Sequence, residues 1–209
     1  MRPDRFVGEA EAREWLTQLR RDRDLTQTEL AAAVRHLGRA LHAHRVARAD
    51  PYARDASAEQ ALVVRIGFGD GEAVAEGRYS EAWELPPESR RTRRSMEAPE
   101  ERFAALLGAR EQVLVCEELV LRARGDLESG RVRQAALQAR VALEGVLAEL
   151  EGDIPADRRA ALEADRHGIG EAANAALRGE LPEPLAAALD AAVGRMEAVL
   201  TARRLGSSR

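Results

Sequence analysis

Downstream of residue 100 the apolar positions recur with a helical period in four separate stretches. In the first, Leu106, Val113, Val120 and Leu127 fall seven residues apart, and Ala109, Cys116 and Ala123 occupy the matching positions three residues on. This spacing predicts a helix with small side chains in one layer of its seam. Leu107, Leu114 and Leu121 widen the apolar face, so burial on more than one side is expected. The second stretch, Val132, Ala136, Ala139, Leu143, Val146 and Leu150, alternates steps of four and three. Between the two, Asp126-Leu127-Glu128-Ser129-Gly130-Arg131 supplies a glycine where a helix should end, which predicts an antiparallel helical hairpin. A third helix is expected after Asp153-Ile154-Pro155, because proline fits a first turn and not an interior; it carries Leu162, Ile169, Ala173 and Leu177, with Gly168 and Gly170 weakening its middle. The last starts near Pro182 or Pro184 and runs through Leu185, Leu189, Ala192, Met196 and Val199, with Arg203 and Arg204 suited to its C-terminal dipole. Residues 100–204 thus read as an antiparallel four-helix bundle, followed by a flexible tail over 205–209.

Residues 1–85 carry a different pattern. A helix is expected around Trp15, Leu16 and Leu19, and a second from Thr26 or Thr28, with Leu30, Val34, Leu37 and Leu41 on one stripe and Asp50-Pro51 ending it. The run from Leu62 to Phe68 reads as a strand, and Gly67-Phe68-Gly69-Asp70-Gly71 as a hairpin turn, with a return strand through Ala73, Val74, Ala75 and Glu76. Such a hairpin is marginal alone and must lie on helices or pair with another copy. Between the halves, residues 86–99 combine three prolines with Arg90, Arg91, Arg93 and Arg94 and show no apolar period, which predicts a linker. The expected fold is mainly α: an N-terminal helix pair with a small β-hairpin, the linker, and the C-terminal bundle.

Composition narrows the chemistry. All 32 basic residues are arginine, so Schiff-base catalysis, a lysine general base and a P-loop lysine are excluded. One cysteine, Cys116, cannot form an intramolecular disulfide, and its place on an apolar seam beside Glu117 and Glu118 predicts a buried small hydrophobe. The first 20 residues contain Asp4, Glu9, Glu11 and Glu14 and lack the apolar core of a signal peptide, and no apolar run is long enough to span a membrane, so a cytoplasmic protein without a membrane partner is expected. Arginine to the exclusion of lysine, with abundant Ala, Gly and Leu, suggests a GC-rich bacterial source. No cofactor is expected.

Three clusters are candidates for binding. Arg35, Arg39, His42 and His44 make a basic stretch of the second helix that could touch RNA or another polyanion, and Arg90, Arg91, Arg93 and Arg94 pose the same question in the linker. No aromatic side chain is interleaved for base stacking, so a solvated helix face is the plainer reading. Glu163, His167 and Glu171 sit at steps of four and could line a metal site if they pointed into the bundle, but with Arg159 they also form the charge ladder of a solvated helix edge.

Two resemblances bear on function. Thr26-Gln27-Thr28-Glu29-Leu30-Ala31, preceded by Leu19-Arg20, is similar to the opening of the helix-turn-helix in phage-repressor-type regulators. The chain then continues in a helical pattern where that family places its recognition helix, which leaves nothing to enter a major groove. Residues 119–150, with the turn Asp126-Leu127-x-x-Gly130 and an alanine-rich second helix, resemble the helix pair of HEPN domains. Through Gly130, Ala135 and Ala142-Leu143 they are also similar to one tetratricopeptide unit. HEPN nucleases use an Arg and a His separated by four to six residues late in their bundle. Arg35 with His42 and Arg39 with His44 have such spacing, but both pairs precede the linker, and 32 arginines supply such pairs by chance. The resemblance therefore implies a non-catalytic member used in binding or assembly, and the tetratricopeptide likeness implies a partner surface. The expected function is a helical interaction or assembly protein, acting as a homo-oligomer or with a protein partner. An RNA-binding or RNA-cleaving HEPN-type protein is the first alternative and a metal-binding bundle the second.

Overall fold

The structure is a computed structural model and describes residues 6–58, 61–86 and 102–207. It is mainly helical, with one small two-stranded antiparallel sheet. The chain divides into two compact units, residues 1–93 and 94–209.

In the first unit, α1 (Glu9–Arg21) buries Ala12, Leu16 and Leu19, spaced by four and three on one face. It passes into α2 (Arg23–Arg48) through the single residue Asp22. Asp22 closes both ends: its N–H donates to the Gln18 carbonyl at 2.9 Å, and its carboxylate accepts from the Leu25 N–H at 2.9 Å. The buried Thr26 hydroxyl donates to the Leu19 carbonyl at 2.6 Å and so fixes the start of α2 against the end of α1. Strand β1 (Arg65–Phe68) pairs with β2 (Glu81–Glu84), Ile66 opposite Trp83 and Phe68 opposite Glu81. Ala12, Leu16 and Phe68 form a small core, joined by Phe6, Trp15, Ile66 and Trp83.

The hairpin differs from its sequence reading. Ala73–Glu76 is not the return strand: residues 71–75 form a short helix, α3 (Gly71–Ala75), because alanine and glutamate propagate a helical turn more readily than a strand. The partner strand comes later, at Glu81–Glu84. The glycine cluster is not a two-residue turn either. Gly67 lies within β1, where a Cβ would come within 2.6 Å of the Glu81 carbonyl oxygen, and Gly71 opens α3 at φ +43°.

In the second unit, a helical segment α4 (residues 102–107) precedes α5 (Val115–Glu128), α6 (Val132–Glu149), α7 (Ala156–Arg178) and α8 (Glu183–Ser207). Helices α5 to α8 pack each on the next, and α8 returns to α5, closing a four-helix bundle. Val120, Leu143, Val146, Leu162, Leu189 and Met196 fill the centre, and alanines at 123, 136, 139, 172 and 192 set the close spacing. Gly130, at φ +73°, ends α5 as expected, and α7 begins directly after Pro155.

The first bundle helix is shorter than the heptads through Leu106 and Val113 imply. Ala109 adopts a left-handed conformation, φ +53°, and residues 108–114 are not helical, so only the part from Val115 joins the bundle. Leu107 (72% exposed), Val113 and Leu121 face outward, which contradicts burial on more than one side. At the other end α8 continues to Ser207, three residues into the expected tail.

The arginine-only composition has a structural use. Arg124 on α5 donates two hydrogen bonds to Glu197 on α8, at 2.9 and 2.7 Å, and a third to Asp190 at 2.6 Å. Arg166 on α7 forks onto Glu144 of α6, and Arg195 on α8 onto Asp165 of α7. A planar guanidinium can present two parallel donors to one carboxylate, which an ammonium cannot. Paired forks thus tie neighbouring helices in a fixed register around the alanine-lined core.

Candidate interaction surface

Helix α2 carries the surface that stands out. Its apolar residues Leu30, Val34, Leu37 and Leu41 are spaced four, three and four, so they form one stripe along a helix about 39 Å long. Among the described residues, α2 buries only Thr26 and Gly38. Leu37 is 48% exposed and Val46 65%. Leu30, Val34 and Leu37 form one wall of an open groove of about 680 Å³, and Ala56, Ala58, Val63, Val64 and Tyr79 lie around the rest of it. Sequence reasoning found the stripe and missed the opposite wall, because Val63 and Val64 read as part of a paired strand, whereas β1 starts only at Arg65.

The predicted basic stretch lies on the same helix. Arg35, Arg39 and His42, spaced four and three, share a face turned away from the apolar stripe, and Arg39 Nη2 lies 3.1 Å from His36 Nδ1. Arg39 and His44, five residues apart, project about 140° apart around the axis, so they do not converge within one chain. Arg90, Arg91, Arg93 and Arg94 lie outside the described residues.

Glu163, His167 and Glu171 lie on α7 and are exposed, His167 to 86% of its side chain. Arg159 Nε donates to Glu163 at 3.0 Å, and His167 Nε2 is 3.4 Å from Glu171. The inward orientation that a bundle metal centre requires is not made here. Among the described residues no group of three or more His, Cys, Asp or Glu side chains is placed to hold a metal ion.

No family model, curated protein or solved structure matches the chain. Residues 119–150 do form a helical hairpin, α5 and α6 joined at Gly130.

The second unit holds one polar cluster that sequence reasoning missed. Glu117 is 3% exposed, yet it is charged: Arg102 donates to both of its oxygens, the Leu114 N–H donates at 3.3 Å, and Arg204 Nε lies 3.5 Å away. Burial disfavours the carboxylate, but the hydrogen bonds from Arg102 and Leu114 and the two guanidinium charges outweigh it and hold its pKa below the ordinary value. Neighbouring Cys116 is buried as expected. Burial, then the Glu149 carboxylate, push its thiol up to about 12, which keeps it a neutral, unreactive thiol. Glu149 itself accepts the N–H groups of Val115 and Cys116 at 3.2 and 2.8 Å, so the end of α6 caps the start of α5. Together these two sets of contacts tie α4, α5, α6 and α8. No signal in the local sequence links Glu117 with Arg204, 87 residues away.

Proposed function

We propose that the chain is a non-catalytic helical interaction and assembly protein of a bacterial cytoplasm. The apolar stripe of α2, partly covered and half exposed at Leu37, lines an open groove and is the observation that supports this reading. Most of the stability of a protein helix comes from packing its amphipathic face, so a 26-residue helix whose stripe is only partly covered, with Leu37 exposed, favours a bound form that covers it. Each perturbed group owes its shift to burial or to an ion-pair or hydrogen-bond partner within the bundle, which structural pairing explains without a catalytic role. A single cysteine in 209 residues suits a reducing compartment. Among the described residues no helix is long and apolar enough to cross a membrane.

The test is size-exclusion chromatography with light scattering on the purified chain, recording mass and the ratio of absorbance at 260 and 280 nm. An assembly of at least two 22.9 kDa chains free of nucleic acid is the expected result. A nuclease-sensitive excess at 260 nm would overturn the reading in favour of the Arg35, Arg39 and His42 face as a polyanion site.

A further inference from the structure

We propose that two copies of the chain pair through α2, the helices antiparallel, with the stripe of each laid into the groove of the other. This rests on the interaction reading above and names its partner. The steps of four, three and four between Leu30, Val34, Leu37 and Leu41 are those of a two-helix seam. The positions flanking the stripe include Ala31, Ala33, Gly38 and Ala40, so a second helix can approach closely along it.

Charge decides both the occupant and the direction. From its N-cap Asp22 to Val34 the segment has three acidic residues, Asp22, Asp24 and Glu29, and one arginine, Arg23. From Arg35 to Arg48 it has four arginines and no acidic residue. A parallel pair would bring eight arginines together along one end. The antiparallel pair instead sets the acidic end of each helix against the basic end of its partner, and it also opposes the two helix dipoles. A two-fold axis between positions 34 and 37 places Leu30 opposite Leu41 of the partner subunit and Val34 opposite Leu37 of the partner subunit. Along the axis, Asp24 then lies about one residue from the level of Arg48 of the partner subunit, and Glu29 about three residues from the level of Arg45 of the partner subunit. The contact uses the same patch on both copies, so it closes as a dimer and does not propagate.

The experiment uses the full chain in two parts. First, sedimentation equilibrium compares the natural chain with Leu37→Glu, a substitution at a side chain already half exposed, with far-UV circular dichroism as the check on folding. The variant is expected to weaken the dimer at least tenfold at unchanged helicity. Second, in a Cys116→Ala background, Leu30→Cys combined with Leu41→Cys is expected to give a disulfide-linked dimer under mild oxidation. Leu41→Cys alone is expected not to, because the two copies of position 41 would lie 11 residues apart along the axis, about 16 Å. Three results overturn the pairing: a natural chain that stays monomeric, a Leu37→Glu variant that stays dimeric, or efficient cross-linking by Leu41→Cys alone. The first and second leave the interaction reading standing with another partner or another face, whereas co-purified nucleic acid removes that reading itself.

Discussion

Nη2 of Arg102 donates to both carboxylate oxygens of Glu117, at 2.8 and 2.7 Å, inside a wall of the bundle where the glutamate is almost sealed from water. A buried carboxylate that loses its guanidinium is left with a charge that neither solvent nor protein fully stabilises. Arg102→Ala should therefore destabilise the second unit by about 3 kcal/mol, read from urea unfolding. Arg102→Met with Glu117→Leu removes both charges and should cost less than Arg102→Ala alone.

Three carboxylates of the bundle set the pH range of stability. Glu117, Glu149 and Glu144 all have folded pKa values below the ordinary carboxylate value: Glu117 chiefly through Arg102 acting against burial, Glu149 through the Cys116 N–H, and Glu144 through Arg166. Groups depressed in this way add stability above their unfolded pKa and lose it as pH falls through the folded one. Thermal unfolding scans should show a plateau near neutrality and a decline below about pH 4.5. Cys116 acts at the other end: its raised pKa adds stability that is lost as pH rises from about 9 toward about 12.

Arginine should not be replaceable by lysine at the forks between helices. Arg124→Lys keeps the charge but cannot reach Glu197 with two donors and Asp190 with a third, and should lower stability by about 1 kcal/mol. Arg122→Lys, whose exposed partner Glu118 is one turn away on the same helix, should change stability by less than about 0.5 kcal/mol. The difference between the two variants in denaturant midpoint is the measurement.

Glycines inside the bundle helices should separate into two kinds. At Gly168 an added Cβ meets nothing within 4 Å, so Gly168→Ala should raise stability by about 1 kcal/mol through helix propensity. At Gly145 a Cβ would already be 3.2 Å from Cys116 Cβ, where α6 crosses α5. Gly145→Val, larger still, should lower stability by about 2 kcal/mol. A Gly145→Val chain as stable as the natural one would show that the two helices can move apart freely.

The local pattern of the sequence carried the helices. Steps of four and three placed α6 and α8, and Gly130 and Pro155 marked the end of α5 and the start of α7, because a turn glycine and a first-turn proline act within a few residues of themselves. The stripe on α2 was equally legible. The composition also showed that arginine alone would supply the cations. What no local rule decided was where each pattern stops and what it meets. The heptads through Leu106 and Val113 continue past a left-handed Ala109, and the partner of β1 is set at Glu81–Glu84, where Trp83 joins Ile66 against the small core with α1. Whether a stripe is covered depends on segments far along the chain, and so does whether Glu117 meets Arg102 and Arg204. Periodicity records which side of an element is apolar; only the tertiary fold brings distant charges within 4 Å or leaves an apolar face facing water.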